Sequence, residues 1–412
     1  MCLSFPKNKN SARSHAFDLY RALAVLAVVI GHMGLYMDKI HGWTKLCLVI
    51  PINYGVPLFF IISGYLLASS MTCLREIPGN TYIKSLKSFY YLRICRIYPA
   101  YIFWLVIFWM WGILDVSTNI NSFATIISGL KFLNNNIDSF AATVAGLKFL
   151  HNYIMDLIVH IFNIHNFFSQ YSRSINPVFW TLAVEFQWYL VAPALFYLML
   201  GKSHRVMIIT FGIILLISIG TRNWMVWNYF SQKISISDMW RLSNEQIYIE
   251  LYSFALGIVI WRFRRTNWRL PNSGMLFLWV GILLIAFYTY NFYFDINGAG
   301  NINEIGAKRL ALKENYFQFM VITNMKYISQ IILAYIVFHY RNISLPDFLY
   351  TATQYTAKIS YSMYIVHYPI LTKIIPAGQN VISTFALYLI LTFAVSNISY
   401  IFIEKQFIKL RN

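Results

Sequence analysis

Charge is what this sequence has least of. Only 12% of its 412 residues are Asp, Glu, Lys or Arg, whereas about a quarter of a soluble domain is charged. Acids are the scarcer sign: 15 Asp and Glu stand against 33 Lys and Arg, a net charge of +18. Cysteine is also sparse. Cys2, Cys47, Cys73 and Cys95 are the four present, without the spacing of a disulfide framework. His151, His160 and His165 form no helical i,i+4 ligand pair and no Cys cluster joins them, so no metal is expected. Aromatics make up 18% and hydrophobic residues 58% of the chain, which excludes a disordered protein. A basic balance ordinarily invites nucleic acid, but a chain this apolar has no polar surface on which a basic face stays solvated. An all-α integral membrane protein is the class that remains.

A membrane-crossing helix needs about 20 mostly apolar residues. Ten such segments lie near 17–37, 51–71, 97–115, 177–200, 206–221, 247–262, 274–293, 324–340, 357–375 and 381–403. The stretch 139–163 is apolar enough to be partly embedded, but His151, Asp156 and His160 argue against a full span. The start resembles a signal peptide, yet its small residues precede the apolar run and further spans follow. We read an uncleaved first helix. With both termini in the cytoplasm, the inner segments and their borders hold 19 Lys and Arg against four acids; the longer outer ones hold 13 against 10. This is the asymmetry that orients helices during insertion. Residues 1–412 are read as one membrane domain with a cytoplasmic tail (1–16), a long extracytoplasmic segment (116–176) and no attached soluble domain. In that segment Gly129-Leu-Lys-Phe-Leu133 recurs as Gly146-Leu-Lys-Phe-Leu150, too short for a solenoid.

Ionisable residues inside spans are functional candidates by default. The first helix carries Arg21 and His32, eleven residues apart. That is close to three turns, so both project from nearly one face about 16 Å apart along the axis. Arg21 alone also fits a snorkelling partner for Asp18, and His32 fits a hydrogen-bonded packing role. The fourth span opens Asn176-Pro-Val-Phe-Trp180-Thr-Leu-Ala-Val-Glu185. A carboxylate so placed is paired or functional, and Trp180 sits at the depth of an aromatic belt. Arg93 and Arg96 are three apart and share a face if the third helix starts early; they serve equally as a topology signal or as a bidentate phosphate grip. Ser63 and Gly64 are small enough for close helix approach. Tyr364 and His367 lie in the ninth span, His367 as fitting for a structural hydrogen bond as for chemistry.

Taken in order, these patches resemble the acyltransferase-3 family of integral membrane O-acyltransferases. The most specific elements of the match are three, each weak alone: Arg21 with His32; Gly55 through Phe59-Phe60-Ile-Ile-Ser63-Gly64-Tyr65; and Trp180-Thr-Leu-Ala-Val-Glu185. Arg93-x-x-Arg96-Ile-Tyr-Pro99 and Ser360-Tyr through His367-Tyr-Pro369 add weaker support. Gln406 stands where the family often has Pro, and segment 116–176 is long for it. Some members carry a further C-terminal hydrolase-like domain, which this reading does not expect here.

The resemblance implies a bacterial inner-membrane enzyme that passes an acyl group, commonly acetyl, from cytoplasmic acyl-CoA to a hydroxyl of an extracytoplasmic glycan such as O-antigen or exopolysaccharide. His32 matches its catalytic position, and Arg21, Arg93, Arg96 and Glu185 its important polar positions. On this reading Arg93 and Arg96 hold the CoA phosphates and Arg21 a phosphate or the thioester end. His32 acts as general base or acyl carrier, and Glu185 orients or stabilises its ring. Ser63, Trp180, Tyr364 and His367 are assigned to substrate binding. Acyl-CoA is the donor substrate, with no resident cofactor. The partners expected are the lipid bilayer, acyl-CoA and a glycan or glycolipid acceptor; a homo-oligomer is compatible. The rival is a transporter or flippase using the same polar residues as a permeation path. A receptor or scaffold leaves Arg21, His32 and Glu185 unexplained.

Overall fold

The computed structural model describes residues 15–36, 52–75, 81–118, 151–266, 270–297, 316–375 and 380–409. Within them the chain is helical, without a strand. In lipid no water is present to satisfy an open backbone, so apolar segments close their hydrogen bonds internally as helices. The elements are α1 (His15–Tyr36), α2 (Ile52–Arg75), α3 (Tyr82–Thr118), α4 (151–161), α5 (Trp180–Leu200), α6 (His204–Phe230), α7 (Ile236–Asn244), α8 (Ile247–Arg262), α9 (Asn272–Asn297), α10 (Tyr316–His339), α11 (Asp347–Pro369), α12 (Val381–Ser399) and α13 (Lys405–Lys409). Helices α11 and α12 each continue through a π turn, Ile370–Ile374 and Tyr400–Glu404.

All ten expected spans fall on helices, and among the described residues six helices are long and apolar enough to cross a membrane. These are α1, α2, α3, α5, α6 and α12 with its continuation; α9 contains a shorter apolar helix over Asn272–Ala286. The third differs most from expectation. The apolar run begins near 97, but the helix begins at Tyr82 and runs 37 residues, about 56 Å. Its first four turns carry Lys84, Lys87, Arg93 and Arg96 and extend past the apolar part. The early start that puts Arg93 and Arg96 on one helix face is therefore present.

The bundle is tightest where α2 crosses α8. A Cβ on Gly64 would collide with the Phe254 carbonyl, and one on Gly257 with the Ile61 carbonyl and the Tyr65 amide. The two backbones touch there, as small residues at helix crossings in lipid permit. Phe254 then stacks between Phe60 (4.5 Å) and Trp188 (4.7 Å), tying α2, α5 and α8 into one core. A similar approach joins α1 to α2, where a Cβ on Gly55 would lie 2.9 Å from the Ala24 carbonyl oxygen. Around this core, large apolar side chains such as Ile208, Leu216, Phe277, Ile382 and Ile390 stand exposed. Large apolar side chains exposed on helices of membrane-crossing length are suited to face lipid.

Two arginines show that part of the basic excess closes helix ends. Arg262 donates to the Leu200 and Lys202 carbonyls (2.6 and 3.0 Å). Arg341 donates to the carbonyls of Phe338, Arg264 and Thr266. Carbonyls at helix C-termini lack intrahelical donors, and these guanidinium groups supply them.

Helix α4 and the chain that follows it form a polar layer. His160 Nδ1 lies 3.1 Å from an Asp156 carboxylate oxygen, which also accepts from Ser174 (2.6 Å). Both residues are buried, so this part of the 139–163 stretch is folded into protein. Asn166 is the layer's hub. It accepts from Gln187 (2.9 Å) through its side chain and from Gln246 (2.6 Å) and Arg241 (3.0 Å) through its carbonyl, linking the layer to α5, α7 and α8. The two copies of the Gly-Leu-Lys-Phe-Leu repeat lie outside the described residues.

Candidate active site

Two adjoining cavities run through the bundle, and four helices line both in the same order. On α1, Arg21 lines one cavity and His32 the other. On α2 the corresponding residues are Ser63 and Asn53; on α5, Glu185 and Trp180; on α11, Tyr361 and Tyr368. Val56 and Tyr364 line both and mark where they meet.

The arginine cavity is the smaller of the two. Arg21, Arg93, Arg96, Glu185 and Tyr189 are its polar walls, with Ser63 and Phe59 beside them. Glu185 accepts a hydrogen bond from the Tyr189 hydroxyl, one helical turn on. Arg93 Nη2 donates to Ser70 (3.3 Å), and its guanidinium lies 5.8 Å from the Phe89 ring centroid. Three cations against one carboxylate leave this cavity positive. Glu404 is buried close by, accepting from Ser362, which bonds Ser399 at 2.7 Å.

The histidine cavity is the larger one. His32 is half-buried at its edge. Its Nδ1 lies 3.0 Å from the Val28 carbonyl and 3.2 Å from His367 Nε2. His367 is fully buried, and its Nδ1 lies 2.7 Å from the Tyr364 carbonyl. A carbonyl only accepts, so His367 Nδ1 carries a hydrogen, and in the neutral ring its Nε2 accepts. The hydrogen on His32 then sits on Nδ1, shared between the Val28 carbonyl and His367. The tautomer is assigned from this network, and it leaves the lone pair of neutral His32 on Nε2.

Ionic residues that the sequence reading passed over also line this cavity: Arg173, Arg222, Glu245, Glu250 and Lys326. Lys326 pairs with Glu250 and Arg173 with Glu245. Burial pushes the Glu245 carboxyl up, and Arg173 beside it pulls the other way. Glu250 lies in an apolar helix like Glu185, so the same criterion flags it. Lys326 and Arg222 sit at the ends of the expected spans 324–340 and 206–221, where a charge reads as interfacial, although both lie well inside their helices.

The expected site residues thus divide. Arg21, Arg93, Arg96, Ser63 and Glu185 gather in one cavity, His32 and Trp180 in the other, with Tyr364 between. His367 lines neither and touches His32 instead. Glu185 faces the arginines rather than the His32 ring, because it lies five residues along α5 from Trp180, about 7.5 Å deeper. Among the described residues no group of three His, Cys, Asp or Glu is arranged to hold a metal ion.

The profile of a family described as an acyltransferase domain, acyltransferase-3, matches residues 14–402. Curated relatives include Staphylococcus aureus proteins (strains MSSA476 and MRSA252) named "putative O-acetyltransferase", 28% identical over 213 residues. That alignment takes in 51% of this chain and 29% of theirs, so the chain covers less than a third of those relatives. An uncharacterised Haemophilus influenzae protein is 28% identical over 190 residues, 45% of this chain and 67% of that one. No solved structure matches the chain.

Proposed function

The chain belongs to the acyltransferase-3 family, and from that premise we propose that it is a membrane O-acyltransferase. It carries an acyl group, acetyl in the first instance, from cytoplasmic acyl-CoA to a hydroxyl of an extracytoplasmic glycan. The single observation that carries this reading is the pair of cavities meeting at Tyr364, one lined by arginines and the other by His32. A donor rich in phosphate suits the first and a hydroxyl in need of a base suits the second. The excess of Lys and Arg in the proposed inner segments supports an arginine cavity that faces the cytoplasm. On this reading the enzyme sits in a bacterial inner membrane, with its termini inside and its ten helical segments crossing or re-entering the bilayer.

In this mechanism Arg93 and Arg96 grip donor phosphates by charge-assisted hydrogen bonds. Arg21, on the helix that also carries His32, lies nearer the reacting end. The acyl arm reaches past Val56 and Tyr364 toward the histidine cavity. His32 Nε2 takes the proton of the acceptor hydroxyl as its oxygen bonds to the thioester carbonyl carbon. The carbon–sulfur bond then breaks, and the CoA thiolate takes up the proton held by the His32 imidazolium, which returns the ring to its neutral form. His367 holds the His32 tautomer that leaves Nε2 basic, and Glu185 balances the arginine cluster.

The test is acetyl transfer in membranes containing His32→Ala, where loss of a general base costs about 10²–10⁴ in rate. Full activity in a well-expressed variant removes His32 from the chemistry. A transporter consumes no acetyl-CoA, so measuring CoA release in the same membranes separates that rival.

A further inference from the structure

We infer that the histidine cavity accepts a saccharide bearing a negative group, carboxylate or phosphate, with Arg222 as the seat of that charge. The inference deepens the proposed reaction and rests on it for the acceptor's role. The cavity wall holds three cations, Arg173, Arg222 and Lys326, and two carboxylates, Glu245 and Glu250. Two ion pairs use both carboxylates, Lys326 with Glu250 and Arg173 with Glu245. Among the described residues, none forms an ion pair with Arg222. It is 2% exposed, donates from Nη1 to the Ser243 carbonyl at 3.3 Å and lies 6.0 Å from the Tyr327 ring centroid. Its Nε is buried without a hydrogen-bond partner.

A guanidinium held away from water without a counter-ion is costly, and a cavity-lining one is relieved when a ligand brings the missing charge. A planar fork of donors matches carboxylate or phosphate oxygens. The rest of the wall suits a sugar. Trp180 and Trp240 offer flat apolar faces, while Asn53 and Asn244 offer amides. Glu245 Oε2 is a further buried atom without a hydrogen-bond partner. A neutral glycan leaves the Arg222 charge uncompensated; an anionic one completes it.

The experiment uses the full chain in nanodiscs with three probes at equal concentration: methyl glucuronide, glucose 1-phosphate and methyl glucoside. Two readouts are taken, the thermal unfolding midpoint and acetyl transfer from acetyl-CoA to each probe. At least one anionic probe is expected to raise the midpoint and to be acetylated about tenfold faster than the neutral glucoside, equivalent to about 1.4 kcal/mol. Which of the two does so separates carboxylate from phosphate. Arg222→Gln is expected to abolish the preference and Arg222→Lys to retain most of it. Equal midpoint shifts for all three probes, or none, overturn the proposal, as does an unchanged preference in Arg222→Gln. If that variant does not fold, the comparison of probes on the unaltered protein decides. Anion-dependent stabilisation lost in Arg222→Gln without any acetyl transfer upholds the anion site and sinks the acyltransferase reading. Transfer without anion preference does the reverse.

Discussion

His32 and His367, 335 residues apart in the chain, meet at 3.2 Å through Nδ1 and Nε2. The buried ring of His367 is itself fixed by the Tyr364 carbonyl, 2.7 Å from its Nδ1. The backbone of α11 therefore dictates which nitrogen of His32 keeps its lone pair.

A positioning role for His367 has a specific kinetic consequence. Replacing the partner that orients a metal-ligating histidine typically costs about 10–100-fold, and a loss of that order is expected for the ring that orients His32. His367→Ala is expected to lower kcat for acetyl transfer within that range while the KM for acetyl-CoA stays unchanged. His367→Gln is expected to recover part of the loss, because its side-chain oxygen can accept from His32 Nδ1. Steady-state kinetics in proteoliposomes measure both. A rise in KM with kcat intact contradicts the role.

The arginine cavity predicts the opposite pattern. Arg93 and Arg96 line it on one face of α3, so Arg93→Gln or Arg96→Gln weakens ground-state binding of an anionic donor. The expected result is a KM for acetyl-CoA raised about tenfold, with kcat changed by less than about threefold. The same variants assayed at rising salt should lose less activity than the unaltered protein, because screening weakens the attraction they have already lost.

Much of this was legible in the sequence, for physical reasons. Apolar length identifies helices in lipid because no other backbone arrangement is satisfied there, so all ten expected segments fall on helices. Arg21 and Glu185 stood out as charges inside apolar runs, Arg93 and Arg96 as two cations one helical turn apart at the edge of one, and Gly64 by its size. What periodicity does not carry is depth. Glu185 and His32 are both intramembrane polar residues, yet one faces the arginines and the other the opposite cavity. The Lys326–Glu250 pair was hidden in another way: its members are 76 residues apart, and nothing in either segment alone names the other as its partner. The join between His32 and His367 needs the crossing of α1 and α11, which neither helix encodes alone.

The contact of α2 with α8 makes a stability prediction. A methyl added at Gly64 or Gly257 meets backbone atoms of the facing helix, and backbone moves less readily than a side-chain tip. Overpacking typically costs about 1–3 kcal/mol. Gly64→Ala and Gly257→Ala should each lower the unfolding midpoint in detergent, whereas Gly212→Ala, which meets nothing within 4 Å, should not. An unchanged midpoint for both crossing variants contradicts the tight approach.

The polar layer makes stability depend on pH. Burial, with His160 stacked 3.9 Å away, pushes the His165 imidazole well below its usual range. In the unfolded chain it titrates near about 6.5. Above that pH both states are neutral at this residue and its contribution is complete. As pH falls below it, the unfolded state binds a proton that the native state refuses, so stability drops by at most about 1.4 kcal/mol per pH unit from this group, until the folded pKa is passed. The unfolding midpoint in detergent should therefore decline between pH 7 and pH 5. His165→Phe keeps a flat ring against His160 and removes the titrating group, so its decline should be shallower. Equal slopes for the two proteins would assign the acid sensitivity elsewhere.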